Sequence, residues 1–197
     1  MKYIIFTGPT ASGKDTIMDA AVTEFNKVQP KSLEKAWYYT TRKDIRPGEK
    51  STDEPFLTEE EFDTKLAKGE ILLPNKKEKY RVGYPMLDLK KPGTTVLAFN
   101  AENGRKFKAI IEEKGGEVLM VYIYTKPDEQ IRRIMGREGL LFEEMAADKA
   151  AKDNVENDPE KHRDYDLVIE NKEGELERTK EIVFGRIKEF IESDLNR

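Results

Sequence analysis

The stretch GPTASGKDT at residues 8–16 limits the possible folds of this chain more than any other. Gly8 and Gly13 bracket four residues, Lys14 follows, and the apolar run KYIIF lies directly upstream. Downstream, Ile17, Ala20, Ala21 and Phe25 recur at helical spacing. A glycine loop between a short buried strand and an amphipathic helix directs main-chain N–H groups toward a bound anion, and the helix N-terminus adds its positive end. G-x-x-x-x-G-K is the spacing by which such loops cradle triphosphates. Gly8, Pro9, Thr10, Ala11, Ser12, Gly13, Lys14, Asp15 and Thr16 therefore form the candidate ATP-binding segment, with Lys14 neutralising β- and γ-phosphate oxygens.

In that pattern the residue after the lysine is a hydroxyl that helps hold magnesium. Here the place is taken by Asp15, and a hydroxyl comes one residue later, at Thr16. A carboxylate is a hard oxygen ligand suited to Mg2+, directly or through water. It is also favoured near a helix N-terminus by the dipole. Asp15 and Thr16 are thus candidate metal ligands, and the alternative, that Asp15 caps the helix, stays open.

Further apolar runs follow: TTVLAF (94–99), VLMVYIYT (118–125) and YDLVIEN (165–171). Helical patterns at 101–114 and 127–137 alternate with them, and LERTKEIVFGRIKEFIES closes the chain as an amphipathic helix. Strands alternating with helices predict an α/β fold, a parallel sheet flanked by helices. The 197 residues suit a single domain. Its core is expected at 1–32, 93–137 and 161–197. Residues 33–92, broken by RPGEKSTDEP, NKKEK and KKPG, read as an insertion, and the charged helical stretch 138–160 as a mobile lid.

Composition removes several classes. There is no cysteine, which excludes disulfides and thiolate chemistry, and the lone histidine, His162, does not make a metal centre. A net charge of −4 gives no general attraction for nucleic acid, so an anionic ligand needs a local cluster of cations. NKKEKYR (75–81) reads as a solvated loop, Glu143 and Glu144 as lid surface, and Trp37 and Tyr38 as core or a stacking surface for a base. No cleavable signal or long apolar span is visible, which predicts a cytoplasmic protein without membrane contact.

The ordered set GPTASGK, YTTRKDIRPGE (39–49), FLTEEEF, KGEILL, RIMGR (133–137) and DYDLVIEN (164–171) resembles the guanylate kinase family of nucleoside monophosphate kinases. That family opens with G-P-S-G-x-G-K and carries T-T-R-x-x-R-x-G-E. The resemblance implies the P-loop nucleoside monophosphate kinase fold, ATP as phosphoryl donor and Mg2+ as cofactor. By it, Arg42 and Arg46 grip the acceptor phosphate, Arg133 and Arg137 approach the transferring group from the lid, and Asn171 lies near the adenine. Lys14, Arg42, Arg133 and Arg137 are then the catalytic set, since phosphoryl transfer depends on alignment and charge neutralisation rather than on a protein nucleophile.

The departures concentrate on the acceptor. Leu73 stands where the family reads guanine with a glutamate, and Val82 where it has a second tyrosine, with Tyr80 or Tyr84 as substitutes. Ala98 and Asn100 replace two expected aspartates, and Glu54 falls near an expected tyrosine. Arg42, Arg46, Tyr80, Tyr84 and Asn100 form the resulting acceptor set. The expected acceptor is GMP, dGMP or another nucleoside monophosphate. Asp15 and Leu73 together also resemble the branch that phosphorylates ribose 1-phosphate-type sugars to the 1,5-bisphosphate. A non-catalytic protein-binding module is the reading from a different class. Small-molecule substrates are the expected partners of a monomer or homodimer.

Overall fold

The computed structural model describes residues 2–43, 56–76, 79–85, 93–139, 143–156 and 164–193. They form two units, Met1–Lys35 with Pro92–Arg197, and Ala36–Lys91. In the larger unit, strands β1 (Lys2–Thr7), β2 (Leu33–Lys35), β6 (Thr94–Ala98), β7 (Glu117–Tyr124) and β8 (Leu167–Glu170) make one sheet in the order β2-β6-β1-β7-β8. Every pairing in it is parallel. Parallel strands need crossovers, and these are the helices α1 (Lys14–Val28), α3 (Ala101–Glu113) and α4 (Pro127–Glu138), with α5 (Glu143–Glu156) before β8 and α6 (Leu176–Glu192) last.

Helices on both faces explain why β1 is buried at every residue and carries the apolar run YIIF at its centre. Ile4 and Phe6 pack with Ile17, Met18 and Ala21 of α1 and Val183 and Ile187 of α6. On the other face Tyr3 meets Phe107 of α3 edge-on, ring centroids 5.7 Å apart. β1 is central, so the loop after it opens at the carboxyl edge of the sheet, where open α/β sheets bind ligands.

Leu33–Lys35 falls inside the stretch read from the sequence as insertion, yet it pairs with Thr94–Val96 in the parallel sheet. It offers one buried side chain, Leu33, too little pattern to announce a strand. α5 occupies most of the stretch read as a lid. Its Ala146 and Ala150, one turn apart, pack on Ile134 of α4 with Ala11, Ile131 and Met135 around them.

The smaller unit is an antiparallel sheet, β3 (Tyr39–Thr40), β5 (Arg81–Pro85) and β4 (Ile71–Lys76) in that order, with helix α2 (Glu59–Ala67). A reciprocal capping box starts α2: Thr58 Oγ1 accepts from Glu61 N at 3.1 Å, and Glu61 Oε2 accepts from Thr58 N at 2.8 Å. Phe62 is wholly buried, and Gly83 makes room for it. A Cβ at Gly83 would lie 2.3 Å from Ile71 Cγ2 and 3.3 Å from the Phe62 ring. No helix among the described residues is long and apolar enough to cross a membrane.

Candidate active site

The loop 8–13 joins β1 to α1 as the sequence predicts, with Gly8 and Gly13 at φ 136° and 89°. Gly13 is irreplaceable on two counts. Its φ is left-handed, and a Cβ there would sit 2.4 Å from Asn171 Nδ2. Ala11 also has a positive φ, 62°, a conformation that costs an L-residue about 1–2 kcal/mol. The family motif G-P-S-G-x-G-K has glycine at that place, which is the residue the backbone there favours.

Three consecutive carbonyls of the loop are taken by side chains of α4 and of Asn171, just after β8. Gln130 Nε2 donates to Thr10 O at 3.0 Å, Arg133 Nη1 to Ala11 O at 3.2 Å and Asn171 Nδ2 to Ser12 O at 2.8 Å. On the donor side, Thr10 N–H goes to Asp153 Oδ2 and Ser12 N–H to Pro9 O at 3.2 Å. The amides of Ala11, Gly13 and Lys14 have no acceptor among the described residues, nor do those of Asp15 and Thr16 in the first turn of α1. Main-chain donors left together in this way suit an anion.

A cleft of about 450 Å³ opens here, lined by Ala11, the Gly13–Thr16 segment, Arg133, Arg137, Asn171 and the turn that follows. Lys14 pairs with the exposed Asp15 carboxylate at 3.5 Å. The N-cap of α1 is Gly13, and no side chain caps it, so Asp15 contributes charge to the first turn rather than a capping hydrogen bond. No group of three acidic or histidine residues that could hold a metal occurs among the described residues. Magnesium that arrives on a triphosphate needs only one or two protein oxygens, and the exposed Asp15 and Thr16 fit that demand.

Arg133 and Arg137 both line the cleft, but Arg133 is extensively engaged. Its guanidinium donates to Ala11 O, to Asn171 O at 3.0 Å and to the buried Glu129 carboxylate one turn back. Asn171 is 3 % exposed, anchored by its own N–H to Tyr124 O at 2.7 Å. Sequence reasoning stopped at Asn171, whereas Lys172, Glu173, Gly174 and Leu176 also line the cleft. Arg132 of α4 holds that turn through Glu173 at 3.2 Å. Glu129, Gln130, Asp153 and Asn154 were likewise missed, and no spacing in the sequence marks them.

In the smaller unit, Val82 and Tyr84 alternate onto one face of β5, and Tyr80 directly precedes that strand. The Arg42 guanidinium lies 6.0 Å from the Tyr80 ring and Tyr38 is 5.9 Å from Tyr84, a surface of aromatic rings with a cation. Leu73 sits at a β-bulge with φ 48°. On the α2 side Arg81 covers the Phe62 ring at 4.4 Å and pairs with Asp63 at 2.6 Å and Glu59 at 2.7 Å. The hydrogen bond from Arg81 holds Asp63 below the usual carboxylate range, those from Thr58 do the same for Glu61, and that from Lys65 for Glu70. Asn100 lies in the larger unit, where its Oδ1 caps α3 by accepting from Asn103 N at 2.9 Å. Arg46, Glu54 and His162 fall outside the described residues.

No protein-family model matches the chain. The guanylate kinase of Chlorobaculum tepidum is 26% identical over 200 residues, covering 96% of this chain and 93% of that protein. The guanylate kinase of Malacoplasma penetrans is 20% identical over 192 residues, 95% of each. A crystal structure of guanylate kinase from Anaplasma phagocytophilum superimposes with a TM-score of 0.64 at 19% identity, over 98% of this chain and 85% of that one. The chain is guanylate kinase-like. An uncharacterized protein from Eubacterium ventriosum has the same general fold, with a TM-score of 0.53 at 14% identity over 95% of this chain and 99% of that one. The structural likeness covers 98% of this chain, and the two guanylate kinase sequences align over 95% and 96% of it.

Proposed function

We propose that this guanylate kinase-like chain is an ATP-dependent kinase that moves the γ-phosphoryl group to a nucleoside monophosphate. The observation that carries the reading is the loop's hydrogen bonding: carbonyls at Thr10, Ala11 and Ser12 tied to side chains, and the amides of Ala11 and of Gly13 through Thr16 left for an anion. Lys14 and Arg137 bring positive charge to the same cleft. Magnesium carried by the triphosphate supplies further neutralisation of its oxygens, with Asp15 and Thr16 as its protein ligands. Arg137 offsets charge on the transferring group. Arg133 keeps the loop and the Asn171 turn together, and its position in the cleft also suits contact with the triphosphate.

For the acceptor, Arg42 and Arg46 supply the phosphate grip, Tyr80 and Tyr84 the walls, and Tyr38 joins them through its ring contact. An arginine over the Tyr80 ring and a Tyr38–Tyr84 ring pair in the same unit favour an acceptor with a base to stack over a bare sugar phosphate. Leu73 has no carboxylate with which to pair the N–H groups of guanine, and leaving them unpaired costs about 1–3 kcal/mol each. The acceptor is therefore expected among monophosphates other than strict GMP.

A coupled ADP-release assay across the ribo- and deoxynucleoside monophosphates and ribose 1,5-bisphosphate precursors tests this. Turnover on a monophosphate that falls by about a hundredfold or more in Lys14→Ala supports it, in line with loss of a charge-stabilising group. Turnover on the sugar phosphate alone moves the chain to the sugar kinase branch. Absence of turnover and of any Mg-ATP thermal shift favours the binding module.

A further inference from the structure

α5 takes hold of the phosphate loop at Thr10 by both main-chain groups. Asp153 Oδ2 accepts from Thr10 N–H, while Thr10 O accepts from Gln130 Nε2 at 3.0 Å. Gln130, wholly buried, is itself held: Asn154 Nδ2 donates to its Oε1 at 3.0 Å. Neighbouring residues of α5 thus fix the N–H of Thr10 directly and its C=O through one intermediary. The next residue is Ala11, in the left-handed region, and its side chain packs on Ile134, Ala146 and Ala150 where α4 meets α5. A strained non-glycine conformation persists only where its surroundings over-determine it, and here α4 and α5 supply both the hydrogen bonds and the apolar seat.

We infer that Asp153 is a positioning residue for the phosphate loop, and that the seating of α5 thereby sets the loop's affinity for a triphosphate. The inference rests on the kinase reading above. Of the amides between Gly8 and Gly13, Thr10 N–H is the one given to a side chain, so Asp153 fixes the loop apex while the donors of Ala11 and of Gly13 onward stay available. A carboxylate next to an anion site is electrostatically unfavourable, and the useful part of the contact is its acceptor oxygen rather than its charge. The amide of asparagine keeps that oxygen; alanine removes it.

Calorimetric titration of Mg-ATP into the full-length protein, Asp153→Ala and Asp153→Asn tests the inference, with the Thr10 amide proton resonance as a local reporter. The expected result is a Kd about fivefold weaker for Asp153→Ala, equivalent to one lost hydrogen bond, and recovery to within about twofold in Asp153→Asn. The Thr10 resonance should move upfield in the alanine variant. Asp153→Ala is not expected to unfold the helix, because alanine has the higher helix propensity. If it does misfold, Asn154→Ala, which loosens Gln130, should weaken Mg-ATP in the same direction. A Kd unchanged or tightened in Asp153→Ala overturns the inference, a tighter one meaning that the carboxylate competes with phosphate. An asparagine variant as weak as alanine overturns it too, as does an unchanged Kd in Asn154→Ala. Mg-ATP that binds none of the proteins, the unmutated one included, sinks the kinase reading along with it.

Discussion

Arg133→Met removes a cation that the structure uses chiefly as a brace. The side chain gives up hydrogen bonds to Ala11 O (3.2 Å) and Asn171 O (3.0 Å), and it leaves Glu129, whose side chain is 10% exposed, without its partner. Removing one partner of a fully buried ion pair costs about 3–5 kcal/mol. Arg133 is only partly buried, its side chain 29% exposed, so water compensates part of that and about 2–4 kcal/mol is the expected loss. For a chain of this size about 3 kcal/mol lowers the melting midpoint by roughly 6–12 °C. The assay is thermal and urea denaturation of the ligand-free protein, run as a double-mutant cycle with Glu129→Met. If the brace argument holds, the double variant is more stable than Arg133→Met alone, because no charge is left buried and unpaired. A ligand-free midpoint unchanged in Arg133→Met, or strict additivity with Glu129→Met, refutes the reasoning and returns Arg133 to a role confined to the bound triphosphate.

Three further outcomes are expected. Gly13→Ala, which forces a side chain into a left-handed residue and onto Asn171, should weaken Mg-ATP more than about tenfold by titration, whatever the acceptor. Lys2→Met should lower stability by about 1–2 kcal/mol in urea melts. The buried Lys2 ammonium donates to Phe190 O at 2.5 Å, Ile191 O at 3.0 Å and Ser193 Oγ at 2.9 Å, and so finishes the C-terminus of α6 from β1. Acid should loosen the smaller unit: Glu61, Asp63 and Glu70 all have depressed folded-state values, so their contribution is full above the unfolded carboxylate range near pH 4 and is lost as pH falls through the folded values. Trp37, edge-on to Tyr39 at 4.8 Å, is the chain's only tryptophan and reports that unit by fluorescence; Asp63→Asn should flatten the acid transition, and an unaltered profile counts against it.

What could be read from the residues alone is what depends on local physics. YIIF is continuous apolar sequence because a central parallel strand is buried on both faces, and GPTASGKDT gives a loop between strand and helix because glycine supplies the left-handed turns. Outside residues 33–92 the alternation of strands and helices, and with it the sheet class, followed from apolar runs and helical periodicity. β2 escaped notice because three residues with one buried side chain carry no period.

The sequence therefore determined that a glycine loop joins a buried strand to a helix and what kind of sheet carries it, since both are written in contiguous residues. Tertiary structure alone decided what holds that loop in place. Gln130 and Arg133 on α4, Asp153 and Asn154 on α5 and Asn171 after β8 lie more than a hundred positions from Thr10, Ala11 and Ser12, and their hydrogen bonds obey no spacing rule. It also decided that Arg133 ties loop to turn, because a guanidinium's role depends on which acceptors the folded chain brings to it.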